Sequence, residues 1–339
     1  MKNKLTYFIA RSSMFGIGFF LVFKNASKDA WISLILGTFL GIIVLYIYNL
    51  LKTSYTTKTL KETLIKTNIG KIYQIILIIF YLYLMTIILL LLPIFVNSFY
   101  LINTPKLLIN IPFFILAIYI TFKEKSVLEN LSSFLCILSI IIILLFAIFL
   151  TNYIDITELY PIFSNKVSNI LETSLIYAAI TSIPQILTIN FSNNFKNTLK
   201  DYILASTTLF TIVLFTTLAL GDSLIKIYGF PEYAVLKQIK ILNFIENIEN
   251  ISSFIWYFDM FIALSTITTN LKNALPKKYN LIYFILISLI ILIISSFQIG
   301  GNYALALKIF YYYPIVLFIF FLIFITLTIY LRFKKNTIK

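Results

Sequence analysis

The chain has 339 residues, of which 60% are hydrophobic and only 12% charged, with a mean hydropathy of +0.96. Soluble domains carry about twice that charge, so a soluble globular protein is excluded. The net charge of +14 does not mark a nucleic-acid surface, because the cations lie at the ends of apolar runs, where membrane orientation signals belong.

Apolar runs of 18 residues or more recur along the chain, as transmembrane helices require. Strands of an outer-membrane barrel would alternate in polarity, and nothing here does so for long. The expected class is an all-α integral membrane protein. There is no histidine, and Cys136 is the one cysteine. The commonest general base, a disulfide and a metal site are therefore absent from the inventory, and neither an enzyme nor a cofactor is expected.

Ten spans are predicted, at about 5–23, 29–51, 72–101, 107–122, 127–151, 167–190, 200–221, 247–271, 280–297 and 308–332. The first apolar run lacks a small-residue cleavage site and is expected to stay as a helix. Most cations fall on the side that carries both chain ends, which predicts cytoplasmic termini. Residues 57–70 hold a capping-box pattern, Thr59-Leu60-Lys61-Glu62, and predict a short surface helix on that side. On the opposite side, Val235, Leu236, Ile239 and Leu242 are spaced as the apolar face of an amphipathic helix within 222–246.

Ten spans form two sets of five, residues 5–151 and 167–332, within one transmembrane domain covering 1–339. Five is odd, so the second set runs upside down relative to the first, the topology of an inverted repeat. The first helix of each set carries a break. In the first, Ser12, Ser13, Gly16 and Gly18 cluster at mid-span; in the second, Thr181, Ser182, Pro184 and Gln185 do. Free backbone groups are tolerated in a bilayer only where they are buried or line a cavity, so paired breaks point to a ligand site. For Gly16 and Gly18, close helix packing is an equally open reading. Ser33, Gly37 and Gly41, at strict four-residue spacing, read as packing alone. Pro93 and Pro314 read as kinks.

Two charges lie deep in spans, Arg11 and Asp259. Asp259 belongs to a small or polar stripe on the eighth span: Ser252, Trp256, Asp259, Ala263, Thr266 and Asn270. The stripe predicts that Asp259 faces a central cavity and pairs with Arg11. Arg11 is also close enough to a helix end to snorkel. Glu246 and Glu249 read as charge at a helix N-terminus.

Several segments resemble the spore germination permeases, the B subunits of GerA-type nutrient germinant receptors. They are Lys28-Asp29-Ala30-Trp31 leading into Gly37 and Gly41, Lys58-Thr59-Leu60, Ile69-Gly70-Lys71, Leu159-Tyr160-Pro161, and Phe230-Pro231 followed by Phe244 to Glu249 and Trp256. The sixth span departs from the family's Ser-Phe-Pro-Phe-Gly-Glu, because Ile186 and Leu187 replace its Gly and Glu. The resemblance implies the ten-helix inverted-repeat fold of the amino acid–polyamine–organocation superfamily, with helices 1 and 6 discontinuous. It implies a receptor in the spore inner membrane that binds an amino acid or similar nutrient and signals with A and C subunits. An amino-acid or amine transporter on the same fold is the alternative.

Overall fold

The computed structural model describes residues 3–53, 68–185, 195–239, 249–275, 280–297 and 303–336. Among them every regular element is a helix. In chain order these are α1 Leu5–Ser12, α2 Phe19–Ala26, α3 Ala30–Thr53, α4 Asn68–Phe99, α5 Lys106–Thr121 and α6 Lys125–Leu150. Then follow α7 Val167–Ser182, α8 Phe195–Ile227, α9 Pro231–Ala234, α10 Glu249–Ala274, α11 Asn280–Phe297 and α12 Tyr303–Asn336.

Among the described residues, six stretches are long and apolar enough to cross a membrane: Phe19–Leu50, Gly70–Phe99, Lys125–Tyr153, Phe195–Ile227, Glu249–Ala274 and Lys308–Tyr330. Lys106–Thr121 and Phe284–Ser296 are shorter apolar helices. Large side chains such as Phe39, Ile79, Phe134, Ile148 and Phe318 are exposed. Exposed residues of this kind along apolar helices suit a lipid surround and would be a liability in water. The chain is an integral membrane protein.

Both expected breaks are present. A π-turn, Met14–Gly18, separates α1 from α2, and α7 ends at Ser182 in a 3-10 turn over Ile183–Gln185. Residues 57–67 of the expected surface helix and Glu246 lie outside the described residues, and Asn68–Gly70 begin α4.

Of the segment 222–246, where an amphipathic helix is expected, residues 240–246 lie outside the described residues, and up to Ile239 the chain forms short separate turns in place of one helix. α8 is interrupted at Gly221, whose φ of 72° is non-helical, and a short helical stretch continues beyond the kink to Ile227. A single turn, α9, follows, then a 3-10 turn over Val235–Gln238, after which Ile239 is extended. Pro231 at the first helical position starts the turn. The apolar positions at 235 and 236 are buried without needing further helical turns to carry them inward.

The chain divides into two compact units. The first comprises Met1–Ile42, Lys125–Ser182 and Lys196–Ala263. Within it α7 packs along α1, the π-turn and α2, and α6 packs on α1. Gly37 and Gly41 of α3 allow the closest approach. A Cβ on Gly37 would come within 2.7 Å of the Ser174 carbonyl oxygen, and one on Gly41 would collide with the Tyr202 hydroxyl. That hydroxyl is itself 2.9 Å from Thr181 Oγ1. The four-residue spacing of small residues is thus a packing device.

At one end of this unit, acids tie loops to helix ends. The fully buried Asp29 carboxylate accepts from the Phe163 amide at 3.0 Å, the Asn165 amide at 2.9 Å and Ser164 Oγ at 3.1 Å. It holds Phe163 at φ 59°, a region that non-glycine residues rarely adopt. Glu158 accepts from the Asp222 amide at 3.2 Å, beside the bend at Gly221. Asp222 in turn accepts from Ser27 Oγ, the Lys28 amide and Lys226 Nζ.

The second unit comprises Ile43–Glu124, Ile183–Phe195 and Leu264–Lys339. In it α4 packs against α5, α11 and α12, and α5 packs against α11. Pro93 lies inside α4 and cannot donate to the carbonyl one turn earlier, that of Leu89. Asn110 of α5 is fully buried, and its Nδ2 donates to that carbonyl at 2.8 Å. The kink and the buried amide are one feature, since neither group has water to turn to in a bilayer.

Two predictions follow from these bonds. Asn110→Leu leaves the Leu89 carbonyl unmet and lowers stability by about 1–3 kcal/mol, read as a fall in the thermal midpoint in detergent. Pro93→Ala supplies the missing amide, so the double variant recovers most of the loss; an equal loss with and without Pro93→Ala would refute the pairing. Asp29→Asn keeps one acceptor oxygen but turns an amide N–H2 toward the donors that the other oxygen accepts from, Phe163 on Oδ1 or Ser164 and Asn165 on Oδ2. The substitution is expected to cost about 1.5–3 kcal/mol and to raise proteolytic cleavage within 160–166, and unchanged cleavage there would refute the anchoring role.

Candidate functional site

The first unit contains a cavity beside the π-turn. Its wall includes Phe15 of that turn, Phe146 of α6, Phe215 and Thr216 of α8, Glu232 of α9, and Ser252 and Trp256 of α10. The space open to water centres is about 50 Å³. One water needs roughly 10–15 Å³ on that measure, so the volume suits a group of about three to five heavy atoms. The wall is mostly apolar with a few polar groups, the usual make-up of a small-molecule site.

Local structure explains why these residues converge. A π-turn places one more residue in the turn than an α-turn and interrupts the helical stagger. Phe15 lies between two neighbours, with its ring 5.0 Å from that of Trp256 and 5.0 Å from the Arg11 guanidinium. Trp256 also meets Phe230, just before α9, at 5.7 Å. The Tyr233 hydroxyl lies 3.2 Å from Asn250 Oδ1 and ties α9 to the start of α10. Glu232 is carried between these two anchors and is 5% exposed.

Beneath Phe15 lies an ion pair with no solvent exposure on either partner. Arg11 Nε donates to the two carboxylate oxygens of Asp259 at 3.2 and 3.3 Å. Arg11 Nη1 donates to Thr208 Oγ1 at 2.6 Å, and the Tyr7 ring lies 4.8 Å from the guanidinium. Arg11 does not snorkel: its side chain is fully buried. The π-faces of Tyr7 and Phe15 and the Asp259 charge replace the hydration that an arginine loses on burial.

The other residues singled out from the sequence take different places. The whole stripe Ser252, Trp256, Asp259, Ala263, Thr266 and Asn270 is buried, but only Ser252 and Trp256 reach the cavity wall. Ser12 Oγ donates to the Ile9 carbonyl, Thr181 Oγ1 to Tyr177 and Ser182 Oγ to Ala178. These hydroxyls satisfy their own helices near the breaks. Ser13, Pro184 and Gln185 are buried, and they too are outside the wall among the described residues, as is Gly18. A Cβ on Gly18 would meet Met14 Sδ at 2.7 Å, so this glycine keeps the π-turn closed on itself.

Sequence reasoning missed Phe15 and Glu232 as wall residues. Phe15 sits between the break residues already noted, and an aromatic inside a helix break was its signal. Glu232 was visible as an acid in a short Gly-Phe-Pro-Glu segment, Gly229–Glu232, but nothing local to it indicates that α9 folds inward.

The family model for spore germination protein, a spore permease model, matches residues 2–299. The chain belongs to that family. No curated protein matches it. The permease family fits the membrane helices and the broken first span, and it leaves ligand and partners open.

A charge-pair prediction follows. Arg11→Gln and Asp259→Asn each strand a buried charge and are expected to cost about 3–5 kcal/mol. The double variant removes both charges and is expected to lose much less than the sum. Thermal midpoints of the four proteins in detergent give the coupling directly, and additive losses would show that the two residues do not depend on each other.

Proposed function

We propose that this permease is the membrane-embedded subunit of a nutrient germinant receptor. A small nutrient, an amino acid or related amine, binds in the cavity beside the π-turn, and the signal passes to A and C subunits in the spore inner membrane. The fold is read as ten spans in a five-plus-five inverted repeat of the amino acid–polyamine–organocation type, with both termini cytoplasmic. No catalytic step is assigned, and the chain is read as a binding protein and not as an enzyme.

One observation carries this reading: the cavity is walled by the break itself. Phe15 belongs to the π-turn, borders the cavity, and rests on Arg11. Occupancy therefore bears on the backbone segment that joins α1 to α2 and on the buried ion pair below it. A ligand shifts a conformational equilibrium only by its difference in affinity for the two states. A wall residue built into a helix discontinuity offers such a difference, because any change in the turn changes the wall.

The break supports a transporter equally in geometric terms, since discontinuous helices also serve alternating access. Two measurements, one on a variant and one on the wild-type protein, separate the readings. Trp256→Ala, inserted at normal level in the spore membrane, is expected to raise the nutrient concentration for half-maximal germination by about tenfold or more, given the usual cost of deleting a buried aromatic anchor. Wild-type protein in sealed vesicles is expected to show no accumulation of labelled nutrient above empty vesicles. Accumulation would favour the transporter, and an unchanged germination response would remove the cavity from nutrient sensing.

A further inference from the structure

The connection between α6 and α7 carries large apolar side chains in the open. Ile156 is 65% exposed, Tyr160 64%, Ile162 43% and Phe163 62%. A loop free to move would fold such side chains under itself. This one is pinned with its polar groups turned inward. Asp29 accepts from the Phe163 and Asn165 amides, Lys28 Nζ donates to the Tyr160 carbonyl at 2.8 Å, and the Asp155 amide donates to the Leu218 carbonyl at 3.0 Å. With those bonds made, the loop presents its apolar side chains outward.

What covers them follows from what adjoins them. The loop leaves α6 and enters α7, and both helices expose apolar side chains up to the points where it joins them. These are Leu145 and Ile148 on α6, and Val167, Leu171 and Leu175 on α7. The last three are spaced by four and share one helix face, and Phe163 stands one such step before Val167. Such faces meet lipid in an integral membrane protein. Tyrosine is a residue of the headgroup level, where its ring lies among acyl chains and its hydroxyl among polar heads. Tyr153 and Tyr160 are both exposed here. Backbone groups that already have partners also make entry into the interface cheap.

We infer that the 156–163 loop is an interfacial anchor, with Ile156, Tyr160, Ile162 and Phe163 seated in the phospholipid surface at the boundary of headgroups and acyl chains. Its occupant is lipid and not a second protein. The loop is bonded through Asp29 to the start of α3 and through Glu158 to the Asp222 amide beside the bend at Gly221. The bilayer surface therefore sets the depth of both points. This inference is independent of the cavity, its ligand and any role in germination.

The test uses full-length protein in phosphatidylcholine vesicles. The one cysteine, Cys136, is buried, so Cys136→Ser gives a background for single nitroxide spin labels. Ile156→Cys and Phe163→Cys carry the label on the loop, Leu171→Cys marks the lipid-facing stripe, and labelled free cysteine marks water. Collision rates are measured with oxygen, which concentrates in lipid, and with a neutral nickel chelate, which stays in water. Both loop labels are expected to give an oxygen-to-nickel ratio near that of Leu171→Cys and well above that of free cysteine. A ratio near that of free cysteine would place the loop in water and overturn the inference. Low collision with both reagents would show a protein cover, a second copy where spin–spin broadening accompanies it, and overturns the inference as well. The two loop sites are read separately, so poor folding of one variant leaves the other to decide.

Discussion

The buried Arg11–Asp259 pair is the interaction on which the first unit depends. An arginine without solvent exposure is tolerable only if every direction around it is occupied by something that favours positive charge. Here Asp259 comes from α10, Thr208 from α8, and the Tyr7 and Phe15 rings from α1 and the π-turn. Three stretches far apart in sequence, α1 with the π-turn, α8 and α10, are thereby brought to one guanidinium. Apolar packing alone is a weak organiser in a bilayer, because lipid tails are as apolar as leucine. A charge that must be matched supplies the specificity that oil-like surfaces lack.

The same logic recurs at three irregular points of the backbone. Asn110 meets the carbonyl freed by Pro93, and Asp29 gathers the inward amides of the 163–165 loop. Glu158 meets the amide that follows the bend at Gly221. Each irregularity has a polar side chain from elsewhere in its own unit to satisfy it, as the absence of water in a membrane demands. The Lys28-Asp29-Ala30-Trp31 segment, noted first as a family resemblance, thus has a mechanical explanation in its acid.

Much of the helical layout was legible in the sequence because hydrophobic runs of span length have few other readings. The break at Gly16–Gly18 was legible from residue type, and the buried face of α10 from its spacing of four and three. The fate of 222–246 was not. Val235, Leu236 and Ile239 satisfy a helical period, yet the backbone kinks at Gly221, restarts at Pro231 and turns extended at Ile239. Periodicity records which residues turn inward and does not record how many turns carry them there. Hydroxyls near the breaks misled in a similar way. Ser12, Thr181 and Ser182 suggested a polar cavity lining, but a serine or threonine in a membrane helix can satisfy itself on the carbonyl three or four residues earlier.

That self-satisfaction sharpens what the first break does. If the polar groups around it are already bonded within their helices, a ligand gains little from them. What the break offers is displacement of an aromatic side chain out of the regular helical stagger, so that one ring of the turn faces both a cavity and a buried guanidinium. Phe15 has Trp256 on one side and Arg11 on the other, at 5.0 Å each. Anything that enters the cavity competes for the ring that helps to keep Arg11 desolvated at tolerable cost. The energy available for coupling is then bounded by the cation–π contribution, about 0.5–2 kcal/mol, which is at most roughly thirtyfold in an equilibrium constant. That range is ample for a switch whose two states differ little in energy, and too small to overturn one that is strongly biased.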